Sequence, residues 1–143
     1  IDETILREHY GSYILCFSAS CPLHEHCLRW QVAQFPTSKS HVVTAVNPAA
    51  PTVGTSDCEH YRDDQPVRVA IGMVRFFREM PHYKELAIKR DIIRHFTRPR
   101  FYRMRRGDIP VTPDDQQVIA AICHRHGWTE APAYDDYEQQ YLW

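Results

Sequence analysis

YILCFSASCPLHEHCLRW, from Tyr13 to Trp30, holds three of the chain's five cysteines within twelve positions. A fourth, Cys58, follows in SDCEHYR, so that Cys16, Cys21, Cys27 and Cys58 read C-x4-C-x5-C-x30-C. Thiolates are soft donors, and four of them drawn from two segments suit a tetrahedral zinc ion or an iron–sulfur cluster. The spacing therefore predicts a metal site at Cys16, Cys21, Cys27 and Cys58, with zinc the expected ion and an iron–sulfur or redox centre the alternative. Magnesium and calcium prefer hard oxygen ligands and are not expected there. The tight C-x2-C knuckle is missing, so unliganded or disulfide-forming thiols remain a third reading. His24, His26 and His60 stand close enough in sequence to replace one thiolate in a Cys3His set, although each alone also reads as a surface histidine.

Working outward, Tyr13 to Phe17 is β-branched and aromatic enough for a short strand that delivers Cys16, and Ser18 to Ser20 turns the chain. Cys21-Pro22 reads as a helix start, with Leu23, Cys27, Trp30 and Gln34 on one side. On such a helix Cys21 and Cys27 lie about one and a half turns apart, so both reach one ion only if the helix starts late or is distorted. His41 to Val46 is a second strand candidate, closed by Asn47-Pro48. Ala49 to Ser56 has no periodicity and returns the chain to Cys58; a shared ion would clip this excursion to the body of the protein.

A chain of 143 residues with 43% hydrophobic and 24% charged residues is expected to form one domain with a real core. No stretch approaches the roughly 18 apolar residues of a membrane-spanning helix. The charged start IDETILREHY is not a secretory signal, and a chain beginning at Ile1 reads as having lost its native start. The expected compartment is the cytoplasm. There cysteines favour metal over disulfides, and an odd fifth thiol does not fit a complete disulfide framework.

The second half reads as helical with one extended interruption. Pro66 to Met80 carries Val69, Met73, Phe76, Phe77 and Met80 at helical spacing, and His82 to Thr97 repeats the pattern with Tyr83, Leu86, Ile93 and Phe96 as its core face. Arg100 to Arg106 alternates as a strand would, with Phe101, Arg103 and Arg105 on one face and Tyr102 and Met104 on the other. In VTPDDQQVIAAICHRHGW, Thr112 is an N-cap, Pro113 suits the first helical position, Asp114 and Asp115 complement the dipole, and Gly127 is the stop. Val118, Ile119, Ile122 and Cys123 form its buried stripe. The aromatic, acidic tail, with Tyr134, Tyr137, Tyr141 and Trp143, is expected to dock.

The net charge of −1 conceals an uneven distribution: Lys89 to Arg106 has eight basic residues and one acidic, and Gly107 to Trp143 one basic and seven acidic. Arg98, Arg100, Arg103, Arg105 and Arg106, interleaved with Phe101 and Tyr102, are candidates for polyanion contact with base stacking, and hence for a weak nucleic-acid or protein partner. The competing reading has Asp135, Asp136 and Glu138 of the tail neutralise them. Cys123 with His124 and His126 resembles a nucleophile and base, but helical spacing puts the thiol beside Ile119 and Ile122 as a small hydrophobe. No G-x-S-x-G, H-E-x-x-H or phosphate-binding glycine loop occurs, which weighs against an enzyme.

CPLHEHCLR (21–29), CEHYR (58–62), VRVAIGM (67–73), FYRMRRGD (101–108), TPDDQQ (112–117) and YDDYEQQY (134–141) together are similar to a family of small uncharacterised cysteine-containing proteins, a domain of unknown function, from gut anaerobic bacteria. The resemblance runs over most of the chain. It implies a single compact domain in an anaerobic cytoplasm, where an oxygen-sensitive cluster would be tenable, and carries no activity onto any residue.

The expected fold is thus α+β: one compact domain, with a cysteine-rich part over about 12–60 and a helical part over about 66–143. A small antiparallel sheet from the Tyr13, His41 and Arg100 segments would be covered by three or four helices and tied by the cysteine metal site. The expected function is that of a metal-stabilised binding protein.

Overall fold

The computed structural model describes all residues from Ile1 to Trp143. The fold is α+β, with five α-helices and one two-stranded antiparallel sheet. The backbone divides into two compact units, Ile1–Pro66 with Tyr141–Trp143, and Val67–Gln140.

In the first unit, helix α1 (Glu3–His9) is capped by Asp2, whose carboxylate accepts from the Thr4 N–H at 2.7 Å. Its one buried side chain, Leu6, joins Leu15, Val32 and Ala33 in a small core that Tyr13 and Trp143 flank. The Trp143 ring stacks on His9 with centroids 3.7 Å apart, so the end of the chain does dock. The expected Tyr13 and His41 strands do not form a sheet: they meet in a single parallel bridge, Leu15 to Ala45. Helix α2 (Leu28–Ala33) starts after Cys27, not at Cys21-Pro22; a 3-10 turn, His24–His26, precedes it. The late start was one of the two conditions for Cys21 and Cys27 to share a site.

The sheet lies in the second unit, where β1 (Val67–Ile71) pairs antiparallel with β2 (Asp136–Gln140), Val69 opposite Glu138. Two expectations fail here. Pro66–Met80 is a strand followed by a 3-10 turn at Arg75–Phe77, because Val67, Val69 and Ile71 are β-branched at alternate positions and Gly72 leaves the helical region at φ 78°. A side chain at Gly72 would also collide with Asp135, whose carboxylate accepts from the Val74 and Arg75 N–H groups at 3.0 and 2.8 Å. Val69, Met73, Phe76, Phe77 and Met80 are nevertheless all buried, as read. Arg98–Arg106 is helix α4, not a strand, and buries Phe101 and Met104, three residues apart.

Helix α3 (His82–Phe96) buries Ile88, Ile92 and Phe96; Tyr83 and Leu86, expected in the core, are 71% and 53% exposed. Helix α5 (Pro113–Arg125) has the predicted start: Thr112 accepts from Asp115 N–H, and the Asp115 carboxylate accepts from Thr112 N–H, a complete capping box. Both α4 and α5 close in Schellman fashion on left-handed glycines, Gly107 and Gly127; Asp108 N–H reaches Arg103 O at 2.9 Å and Trp128 N–H reaches Cys123 O at 3.0 Å. His126 Nε2 lies 2.7 Å from Asp91 Oδ2, and this contact is the main cause that holds the Asp91 carboxyl below its ordinary range.

Candidate metal centre

Backbone hydrogen bonds bring the cysteine-bearing segments together. Cys16 N–H donates to Arg29 O at 3.1 Å, which seats the first cysteine beside α2. Leu28 N–H donates to Arg62 O at 2.8 Å and Asp64 N–H to His26 O at 3.1 Å, on either side of the antiparallel bridge between Cys27 and Asp63. That ladder carries the segment after Cys58 past Cys27. Gln31 reinforces it, donating through Nε2 to Asp64 Oδ2 at 2.8 Å and to Glu25 O at 2.7 Å. Between the two ends, the excursion folds as successive turns, with Thr52 and Gly54 at positive φ and Cys58 N–H donating to Thr55 O.

The result is one cavity of about 20 Å³ whose wall includes Cys16, Cys21, Cys27 and Cys58 together. All four are free thiols; Cys21 and Cys27 are buried, Cys16 and Cys58 half-buried. His24 and His60 share the wall and His26 does not: its side chain is 70% exposed and lies 3.4 Å from Asp64. His24 Nδ1 is 2.6 Å from the Cys21 carbonyl, an acceptor, so Nδ1 is the donor of this hydrogen bond. Its ring stands edge-on to Trp30. The side chains line the cavity without closing on a point: no group of three or more His, Cys, Asp or Glu side chains is gathered as a ligand set.

Arg29, which no cysteine spacing singles out, lines the same wall and is the one charged side chain buried in the protein, at 8% exposure. Its Nε donates to His60 O and its Nη1 to Ile14 O, each at 2.9 Å, and the guanidinium lies 4.8 Å from the centre of the Tyr13 ring. Only its position two residues after Cys27, inside CLRW, could have drawn attention to it.

The fifth cysteine is elsewhere. Cys123 is 1% exposed among Ile119 and Ile122 on α5, and burial pushes its thiol up to about 11, so it is a neutral core residue at ordinary pH. The arginines of α4 also differ from expectation. Arg100 pairs with Asp115 and Arg106 with Asp108, each at 2.9 Å, and none pairs with Asp135, Asp136 or Glu138 of the tail. Phe101 is buried and cannot stack on a base. Tyr102 is half-buried, with the Arg98 guanidinium 6.0 Å from its ring centre, so of the two aromatics only Tyr102 keeps an accessible edge beside the arginines.

No helix is long and apolar enough to cross a membrane. No curated protein and no solved structure matches the chain. A family model described as a family of unknown function, DUF6078, matches residues 3–143, nearly the whole length, and the chain belongs to that family.

Proposed function

We propose that the N-terminal unit is organised by a structural zinc ion held by Cys16, Cys21, Cys27 and Cys58, and that the protein is a metal-stabilised binding protein of a reducing compartment. The observation that carries this reading is the shared wall: four cysteines from two separated stretches of chain, all free thiols, line one small cavity. Chance burial of cysteine as a small hydrophobe explains Cys123; it does not explain four thiols around a single void. The cavity's volume is near the minimum for one water molecule, which leaves room for a single ion. The thiols have still to draw together to coordinate, and metal binding supplies the energy for that movement.

The test is elemental analysis of protein purified without chelator, in which about one zinc per chain is expected from tetrathiolate stoichiometry. Serine at any of the four positions should lower that content, whereas Cys123→Ser should not. Metal-free protein with all four thiols freely titratable would refute the reading.

A further inference from the structure

The geometry points to Arg29 as the counter-cation of the cysteine centre, which fits the cavity to an all-thiolate ligand set. The inference rests on the zinc reading above and adds a charge requirement to it. Arg29 is buried, yet no carboxylate pairs with it. Its hydrogen bonds go to two neutral carbonyls, of Ile14 and His60, and its remaining neighbour of note is the face of Tyr13. Neutral acceptors satisfy donors but do not cancel a charge, and an uncompensated buried cation is strongly unfavourable.

The anion that Arg29 lacks is latent in the same wall. Four thiolates around one Zn²⁺ leave two negative charges uncancelled, and replacing one thiolate by a neutral imidazole leaves one. A fixed guanidinium beside the cavity favours the more negative set, so Cys16, Cys21, Cys27 and Cys58 are preferred over any set that takes His24 or His60. The same hydrogen bonds keep the charge in place: they tie α2 to Ile14, two residues before Cys16, and to His60, two residues after Cys58. Guanidinium suits this double duty because it holds its charge and offers donors in several directions.

Two substitutions separate charge from stapling. Arg29→Gln removes the charge and keeps an amide donor; Arg29→Lys keeps the charge and loses the planar fork. Zinc affinity is read by competition with a chromophoric chelator, and the ligand set by the charge-transfer spectrum of the cobalt-substituted protein. Arg29→Gln should bind zinc about tenfold or more weakly, as expected for one charge lost from the wall of the cavity, and Arg29→Lys should stay within about threefold of the parent. Equal loss in both variants would mean that Arg29 is a staple and nothing more, and parental affinity in both would mean that its charge is irrelevant; either result overturns the inference and leaves the zinc reading standing. If Arg29→Gln does not fold, Arg29→Lys decides alone, since a tenfold loss with the charge retained contradicts the proposal. A parent protein that binds neither zinc nor cobalt removes the zinc reading, and this inference with it.

Discussion

Thr97 joins α3 to α4 at φ 77° and ψ 155°, a backbone conformation that a β-branched residue rarely adopts. Such strain costs about 1–3 kcal/mol, whereas the extra freedom of glycine in the unfolded chain costs roughly 0.5–1 kcal/mol. The Thr97 side chain is exposed and makes no hydrogen bond, so nothing else is lost on removing it. Thr97→Gly is therefore expected to stabilise the protein by about 1 kcal/mol in denaturant unfolding, and a loss of stability would show that the threonine is held there by an unseen contact. Cys123 illustrates the opposite case, a residue whose chemistry is silenced by its surroundings: burial raises its thiol to about 11 and leaves little thiolate at neutral pH. The four cavity cysteines differ from it in having one another as neighbours.

At the scale of elements, local signals succeeded where they were redundant. Thr112, Pro113, Asp115 and Gly127 each mark the same helix for a different reason, and α5 has the limits they predict. Thr112→Ala should cost about 1 kcal/mol through loss of the cap, measured by chemical denaturation; an unchanged stability would mean that Asp115 and water replace the hydroxyl fully. Single-period readings were weaker. In RFYRMRR the alternation of large and charged residues fits a strand, but Phe101 and Met104 also satisfy helical spacing, and Pro99 is acceptable in a first turn. The choice fell to the helix because that places both side chains in the core. In VRVAIGM the buried set was right and the element wrong, since Val69 and Met73 are four apart and fit a helix until Gly72 turns the backbone.

For the whole molecule, each of the two units has its own apolar cluster, the smaller around Leu6, Leu15, Val32 and Ala33, the larger around residues such as Met73, Phe77, Ile88, Phe101 and Ile119. The smaller core is the one that shares its unit with the cysteine cavity. Under the zinc proposal, removing the metal withdraws binding energy that is also folding energy, and it does so where apolar burial is least. Hydrogen exchange after chelation should therefore lose protection first at Cys16, Leu28 and Asp64, whose amides hold the cysteine segments together, while amides of α3 and α5 retain theirs. Uniform loss across both units, or none, would contradict a metal that acts locally.

The amino-acid sequence by itself determined the α+β class, the grouping of the four cysteines that line one cavity, the α5 helix with both of its ends, and most of the buried residues of the second half. Each of these depends on side-chain chemistry or on interactions within a few residues, which are present in the sequence whatever the remainder of the chain does. Only the tertiary structure decided which strands pair, since 64 residues intervene between Ile71 of β1 and its partner Asp136 of β2, and the strands meet through backbone groups common to the whole chain. It likewise decided that Cys58 comes round to Cys27, through the hydrogen bonds at Leu28 and Asp64. And it alone buried Arg29 beside the thiols, because the burial of a charge is set by what folds over it and not by its neighbours in sequence.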